Sequence, residues 1–177
     1  MVRHEINFSE LWQKLPWKKL QRNLFRLQTR LFKAIRENDR VRAKNLQKLI
    51  LKSSAARLLA VRQVTQLNAG KRTAGVDGQK SLNFKQRFAL AKRLLTANKW
   101  NHSKLRAVPI PKKDGTTRML KVPTMADRAW QCLVKYAIEP AHEALFHAKS
   151  YGFRPGRSTH DAQKILFNNL SSHANGI

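Results

Sequence analysis

The sequence predicts an α+β fold that is mainly α-helical, with one small antiparallel β-hairpin, and three observations carry that expectation. Residues 18–66 contain neither proline nor glycine and are rich in Leu, Lys, Arg, Gln and Ala, residues that enter a helix at little conformational cost. In residues 105–123, LRAVPIPKKDGTTRMLKVP, short apolar runs flank an Asp-Gly pair, which is a strong hairpin signal. Thr124 with Asp127, and Ser158 with Asp161, each place an acid three residues after a hydroxyl, a pattern that marks the start of a helix.

Taken in order, the first long helix is predicted by Leu20, Leu24, Leu27, Leu31 and Ile35, which recur at helical spacing. Lys19, Arg22, Arg26, Arg30 and Lys33 recur in the same way. At about 100° per residue the two sets form separate stripes, one apolar and one basic. Asn38 and Asp39 suit a turn, and a second helix then runs to about Asn68. Residues 67–79, LNAGKRTAGVDGQ, gather three glycines with Asn, Thr and Asp and read as a loop. Residues 81–98 read as a helix, with Phe84, Phe88, Leu94 and Leu95 for the core. Pro109 and Pro111 cannot donate ladder hydrogen bonds, so the first hairpin strand belongs at an edge. A helix from Thr124 to about Ile138, ahead of Pro140, is followed by the loop SYGFRPGRS and a last helix to about Leu170. The chain divides into a basic helical N-terminal part, residues 1–68, and a second part, residues 69–177.

Charge points to the partner. The 177 residues hold 36 Lys and Arg against 10 Asp and Glu, a net charge of +26. With 42% hydrophobic residues the chain has enough apolar material for one core of ordinary size. From residue 40 to 113 Asp77 is the one acid, with nine basic residues before it and ten after it, so pairing along helix faces cannot account for the excess. A single basic stripe is ordinarily a solvated face. This total charge shifts the reading to phosphate binding, with RNA or DNA ahead of an acidic membrane surface. Cys132 is the lone cysteine and cannot close an intramolecular disulfide. No apolar run resembles a signal sequence or a membrane span, so a soluble, cytoplasmic protein is expected.

Several chemistries are set aside on spacing. Gly70-Lys71 would need a glycine at 65 and Ser or Thr at 72 to form a phosphate-binding P-loop, and the chain has Thr65 and Arg72. His142 and His147 lie five apart rather than four, which does not place them on one helix face for zinc. Ser158, His160 and Asp161 are too close in sequence to relay a proton among themselves. Glu139, Glu143 and Asp161 do not form the strand-end pair that two-metal catalysis requires. No metal site is expected in this chain.

Three blocks carry a resemblance: TAGVDG at 73–78, IPKKDGTTRMLKVPTMADRAWQ at 110–131, and SYGFRPGRSTHDAQ at 150–163. In order and spacing they are similar to successive motifs of the group II intron-encoded reverse transcriptases, also called maturases. Met119 and Lys121 stand where that family usually has Pro and Gly. The resemblance implies that residues 69–177 are the fingers region of a right-hand polymerase, cut before the palm. The magnesium-binding aspartates would lie beyond Ile177, so the parent protein would be an RNA-directed DNA polymerase while this chain alone would not polymerise and would hold no cofactor. By resemblance, Lys112 and Arg118 would contact the nucleotide triphosphate, Arg106 would pack near the base or template, and the TAGVDG loop would act as a lid. Phe153, Arg154 and Arg157 would line the template path, and Asp77 with Gly78 is expected to form a turn.

RNA-binding residues are expected at Lys19, Arg22, Arg26, Arg30 and Lys33 on the first long helix, Lys71 and Arg72 in the glycine-rich loop, and Arg154 and Arg157. The resemblance implies group II intron RNA as the main partner, in a cytoplasmic ribonucleoprotein. Template-primer and target DNA would be further partners, and magnesium a cofactor, of the complete enzyme. It also implies roles in splicing and intron mobility. The rival expectation is a freestanding, catalytically inactive RNA-binding protein derived from such a polymerase.

Overall fold

A computed structural model of the chain describes residues 7–171. Helix α1, Phe8–Gln13, is capped by Asn7, whose side chain accepts from the N–H groups of Ser9 and Glu10 at 3.1 and 3.2 Å. Six residues are too few for an autonomous helix, and packing supplies the rest. Trp12 is buried against Trp17 and Phe88, both at 5.1 Å between ring centroids, and its indole N–H donates to Gln66 Oε1 at 3.0 Å. Helix α2, Trp17–Arg36, follows the apolar stripe, with Leu24, Leu31 and Ala34 buried. Asn38 turns the chain at φ 56, and Asp39 caps α3, Arg40–Lys52, by accepting from the Arg42 N–H at 2.9 Å.

The expected second helix to Asn68 is broken. Ser53 leaves helical geometry at ψ 126 and accepts from the Ala56 N–H, starting α4, Ser54–Arg62; serine competes for backbone groups in this way and favours caps. The chain then widens into a π-helical turn, Gln63–Leu67. The helix expected over 81–98 is α-helical as α5, Phe84–Arg93, with a capping box at Asn83 and Gln86. It continues as a 3₁₀ segment, Leu94–Lys99. The tighter winding swings Leu95 away from the core, where it is 52% exposed while Leu94 is fully buried.

Helix α6, Met125–Leu145, starts where Thr124 accepts from the Asp127 N–H at 3.2 Å. Its expected end before Pro140 is corrected: the helix runs through the proline. Pro140 has no N–H to donate to the carbonyl of residue 136. Gln28 of α2 supplies the missing donor, its Nε2 reaching the Tyr136 carbonyl at 3.1 Å. The same bond fastens α2 to α6. Helix α7, Thr159–Ser171, carries the expected reciprocal cap, with the Asp161 carboxylate accepting from the Ser158 N–H and Oγ at 2.8 and 2.7 Å. One hydrophobic cluster includes Trp12, Leu24, Leu31, Ile50, Val61, Leu94 and Leu133, so packing is continuous across residue 68.

Strands β1, Arg106–Pro111, and β2, Thr117–Val122, form a two-stranded antiparallel sheet with Arg106 opposite Val122 and Ile110 opposite Arg118. The Lys112 N–H donates to Thr116 O at 2.8 Å and the Gly115 N–H to Lys112 O at 3.2 Å, with Gly115 at φ 79. This is a three-residue loop closed by a glycine bulge. Alternation from the 112–116 pair makes 109–119 and 111–117 the non-hydrogen-bonded pairs. Both prolines therefore fall where the ladder asks for no donor. The ladder also passes Met119 and Lys121 without interruption.

Candidate nucleotide and nucleic-acid interface

The hairpin stands clear of the core, with Val122 its buried foot. Alternation puts Arg106, Val108, Ile110 and Lys112 on one face, together with Arg118, Leu120 and Val122 across the ladder. The three expected nucleotide-binding cations thus share a face. Lys112 and Arg118 are diagonal neighbours near the tip. Arg106 lies four residues from Ile110, about 13 Å along the strand, too far from the tip to hold the same phosphate. Its Nη1 donates instead to Ala74 O at 3.4 Å, joining the hairpin root to the 73–78 loop. Among the described residues Asp114 makes no ion pair with the tip lysines; its carboxylate accepts from the Thr116 N–H and Oγ1, and the hydroxyl bond first of all holds its pKa below the ordinary carboxylate value.

Two groups fix the root. Asp127 is buried and accepts from Trp100 Nε1 at 2.8 Å, Thr124 Oγ1 at 2.7 Å and the Ser103 N–H at 3.2 Å, with His102 Nδ1 at 3.2 Å. Burial pushes its pKa up, but the donors from Trp100, Thr124 and Ser103, and then the charge of His102, outweigh burial and hold it low. The carboxylate thereby ties the segment entering β1 to the start of α6. Gly75 is the second group. A Cβ there would lie 2.6 Å from Thr124 Cα and 2.8 Å from Thr124 N, so the loop meets the start of α6 backbone to backbone. Arg128, which sequence reasoning passed over, staples the same loop by donating to Gly70 O at 2.7 Å, Thr73 O at 2.8 Å and Pro123 O at 3.0 Å. Asp77 and Gly78 form the expected turn, with Gly78 at φ 71 and the Asp77 side chain accepting from the Gln79 N–H.

Lys19, Arg22, Arg26, Arg30 and Lys33 are all exposed along α2, and among the described residues none of them makes an ion pair. Arg72 is exposed; Lys71 is half-buried and its Nζ donates to Gln66 O at 2.6 Å. Arg154 differs from expectation. It is 8% exposed, its Nε and Nη2 donate to the Glu143 carboxylate at 3.1 and 2.5 Å, and its Nη1 donates to the carbonyls of His147 and Ser150. A guanidinium with four of its five N–H groups so engaged holds the 147–154 segment to α6 rather than offering itself to phosphate. The bond from Arg154 also lowers the pKa of Glu143. Arg157 stays exposed, 5.8 Å over the Tyr151 ring, and Phe153 is fully exposed at φ 59, a left-handed backbone that a bulky residue adopts only under constraint.

Among the described residues no group of three or more His, Cys, Asp or Glu could hold a metal ion. Asp127, Glu143 and Asp161 are each held by protein donors, so these three carboxylates do not come together as a magnesium site. Nor is any described helix long and apolar enough to cross a membrane.

The chain is similar to "Maturase-like protein 1" of Euglena gracilis, 40% identical over 97% of this chain and 38% of that protein. It matches the Euglena longa protein of the same name at 40% identity over 97% of the chain and 37% of the relative. "Protein YkfC" of Escherichia coli strain K12 is 35% identical over 59% of the chain and 28% of its own length. The chain thus spans less than two-fifths of these relatives. Residues 12–94 match the N-terminal domain of reverse transcriptase, and residues 110–175 match the reverse transcriptase (RNA-dependent DNA polymerase) family. The basic α2 face and the 73–78 loop lie within the first matched segment, the hairpin tip, β2 and the start of α6 lie within the second, and the chain belongs to the reverse transcriptase/maturase family, carrying an N-terminal portion of it.

Proposed function

We propose that this chain is the intron RNA-binding N-terminal and fingers part of a group II intron reverse transcriptase, supporting RNA splicing and, in the complete protein, RNA-directed DNA synthesis for intron mobility. The observation that carries the reading is the exposed α2 stripe, five cations without an ion pair among the described residues. A polyanion neutralises such a surface by releasing its own condensed counterions. The partner proposed is intron RNA, in a ribonucleoprotein, with template-primer and target DNA joining in the complete enzyme.

The hairpin supports the second half of the reading. Lys112 and Arg118, side by side near the tip, suit the triphosphate of an incoming deoxynucleotide; fixed cations there offset charge that develops during phosphoryl transfer. Arg106, set back at the root beside the 73–78 loop, suits the base or template. Magnesium, with the carboxylates that hold it, would come from the palm of the complete polymerase.

The test is the salt dependence of RNA affinity. Log affinity falls with log salt by roughly 0.7–0.9 per phosphate contact. Reversing Arg22, Arg26, Arg30 and Lys33 to Glu lowers affinity and flattens that slope. Binding that is insensitive to salt, or a quadruple variant that binds structured RNA as tightly as the parent, refutes the reading.

A further inference from the structure

We propose that the groove between α2, the π-helical turn and α6 takes one unstacked RNA base, next to the phosphates held by the α2 stripe. The inference rests on the α2 face binding RNA and adds what that face recognises. The groove has a volume of about 430 Å³, within the range of roughly 300–1,000 Å³ for small-molecule pockets. That is room for a nucleobase, but not for a helix.

Its chemistry suits a base. Leu24 and Leu59 form a buried floor, and Phe25 stands 70% exposed at one side. On the helical wheel Phe25 falls between the core stripe and the basic stripe of Arg22 and Arg26. An exposed aromatic ring beside cations is the combination that stacks bases while holding the backbone. Gln28 supplies an amide for a base edge; its Nε2 already donates to Tyr136 O, which fixes the side chain. No acid lines the groove, and Arg22 and Arg62 border it, so the occupant is a segment of anionic backbone rather than a basic or purely apolar one.

The far wall exists because the helix opens there. Thr65 Oγ1 of the turn donates to Val61 O of α4 at 2.7 Å, and the π winding sets Gln63 and Leu67 along the groove. Single π turns recur at functional sites.

The experiment uses two probes: a stem–loop RNA carrying 2-aminopurine at one loop position, and the same stem as uninterrupted duplex. Loop fluorescence is quenched when the base stacks on protein. Phe25→Ala removes the quenching and weakens stem–loop binding by about tenfold, in keeping with the loss of one stacked base, while duplex affinity and the salt slope stay as in the parent; Phe25→Trp restores both. Since Phe25 is 70% exposed, its truncation opens no cavity, and an unchanged melting temperature verifies the fold. Equal loss for both RNAs, or no loss for either, overturns the base site. If Arg22→Glu with Arg26→Glu leaves both affinities unchanged, the underlying RNA-binding reading of α2 fails and the base site with it.

Discussion

Replacing Gly75 with alanine tests whether the 73–78 loop and the hairpin root are one unit. The added Cβ would sit 2.6 Å from Thr124 Cα and 3.0 Å from Pro123 O. Carbon atoms are at their best at about 3.5–4.0 Å, so the two backbones must part by about 1 Å. Both obstacles are main-chain atoms at the junction of β2 and α6, and no side-chain rotation relieves them. Overpacking of this kind costs about 1–3 kcal/mol. For a chain of this size each kcal/mol lowers the melting temperature by about 2–4 °C, giving a fall of about 2–12 °C. The displaced loop also strains the bonds from Arg128 to Gly70 O and Thr73 O and from Arg106 to Ala74 O. Cleavage by trypsin after Lys71 and Arg72 should therefore accelerate. Two other glycines calibrate the result. Gly78 has open space but φ 71, so Gly78→Ala costs about 1–2 kcal/mol through backbone strain. Gly152 has neither obstacle, and its alanine variant should be neutral. A Gly75→Ala protein that melts with the parent and resists trypsin equally would refute the close contact.

Asp127→Asn should cost about 1.5–3 kcal/mol at neutral pH, because charge-assisted bonds to a buried carboxylate are lost. The folded pKa of Asp127 lies below its ordinary value of 3.8, so its contribution is complete above that value and is lost as pH falls through the folded pKa. Urea melts should show the parent's advantage shrinking in that acid window, and a constant gap would contradict the assignment. In a complete polymerase, Lys112→Ala with Arg118→Ala should reduce nucleotide use by about tenfold to a hundredfold per lost contact while intron RNA affinity holds. Single-nucleotide incorporation and filter binding on the same variant decide this. Loss of RNA affinity with normal nucleotide kinetics would move both residues to the RNA-binding surface.

What the sequence made legible was local. The α2 stripes, the caps at Thr124 and Ser158 and the turn at Gly115 each depend on residues within four positions of one another, and spacing alone exposes them. What it concealed depends on distant partners. Helix α6 passes Pro140 because Gln28, 108 positions earlier in the chain than Tyr136, supplies the missing donor. Helix α1 exists because Phe88 and Gln66 receive Trp12. The site shows the same division. The common face of Lys112, Arg118 and Arg106 follows from alternation in a hairpin, whereas the structural role of Arg154 appears only once Glu143 is seen to face it. Arg128 could have been noticed as a cation at the start of α6, yet its carbonyl partners at Gly70 and Thr73 could not.

The two prolines of β1 give the sheet a direction of growth. Pro109 and Pro111 sit at positions whose backbone points away from β2, so the outer rim of β1 offers oxygen acceptors with no N–H between Val108 and Lys112 facing outward. A further strand laid there would find no donors opposite its carbonyls. The outer rim of β2, at Thr117, Met119 and Lys121, keeps both kinds of group. A strand that widens this sheet, whether from a longer chain or from another molecule, therefore pairs more completely on the β2 side, and continuous stacking of hairpins is disfavoured because the β1 rim of every copy lacks donors between Val108 and Lys112.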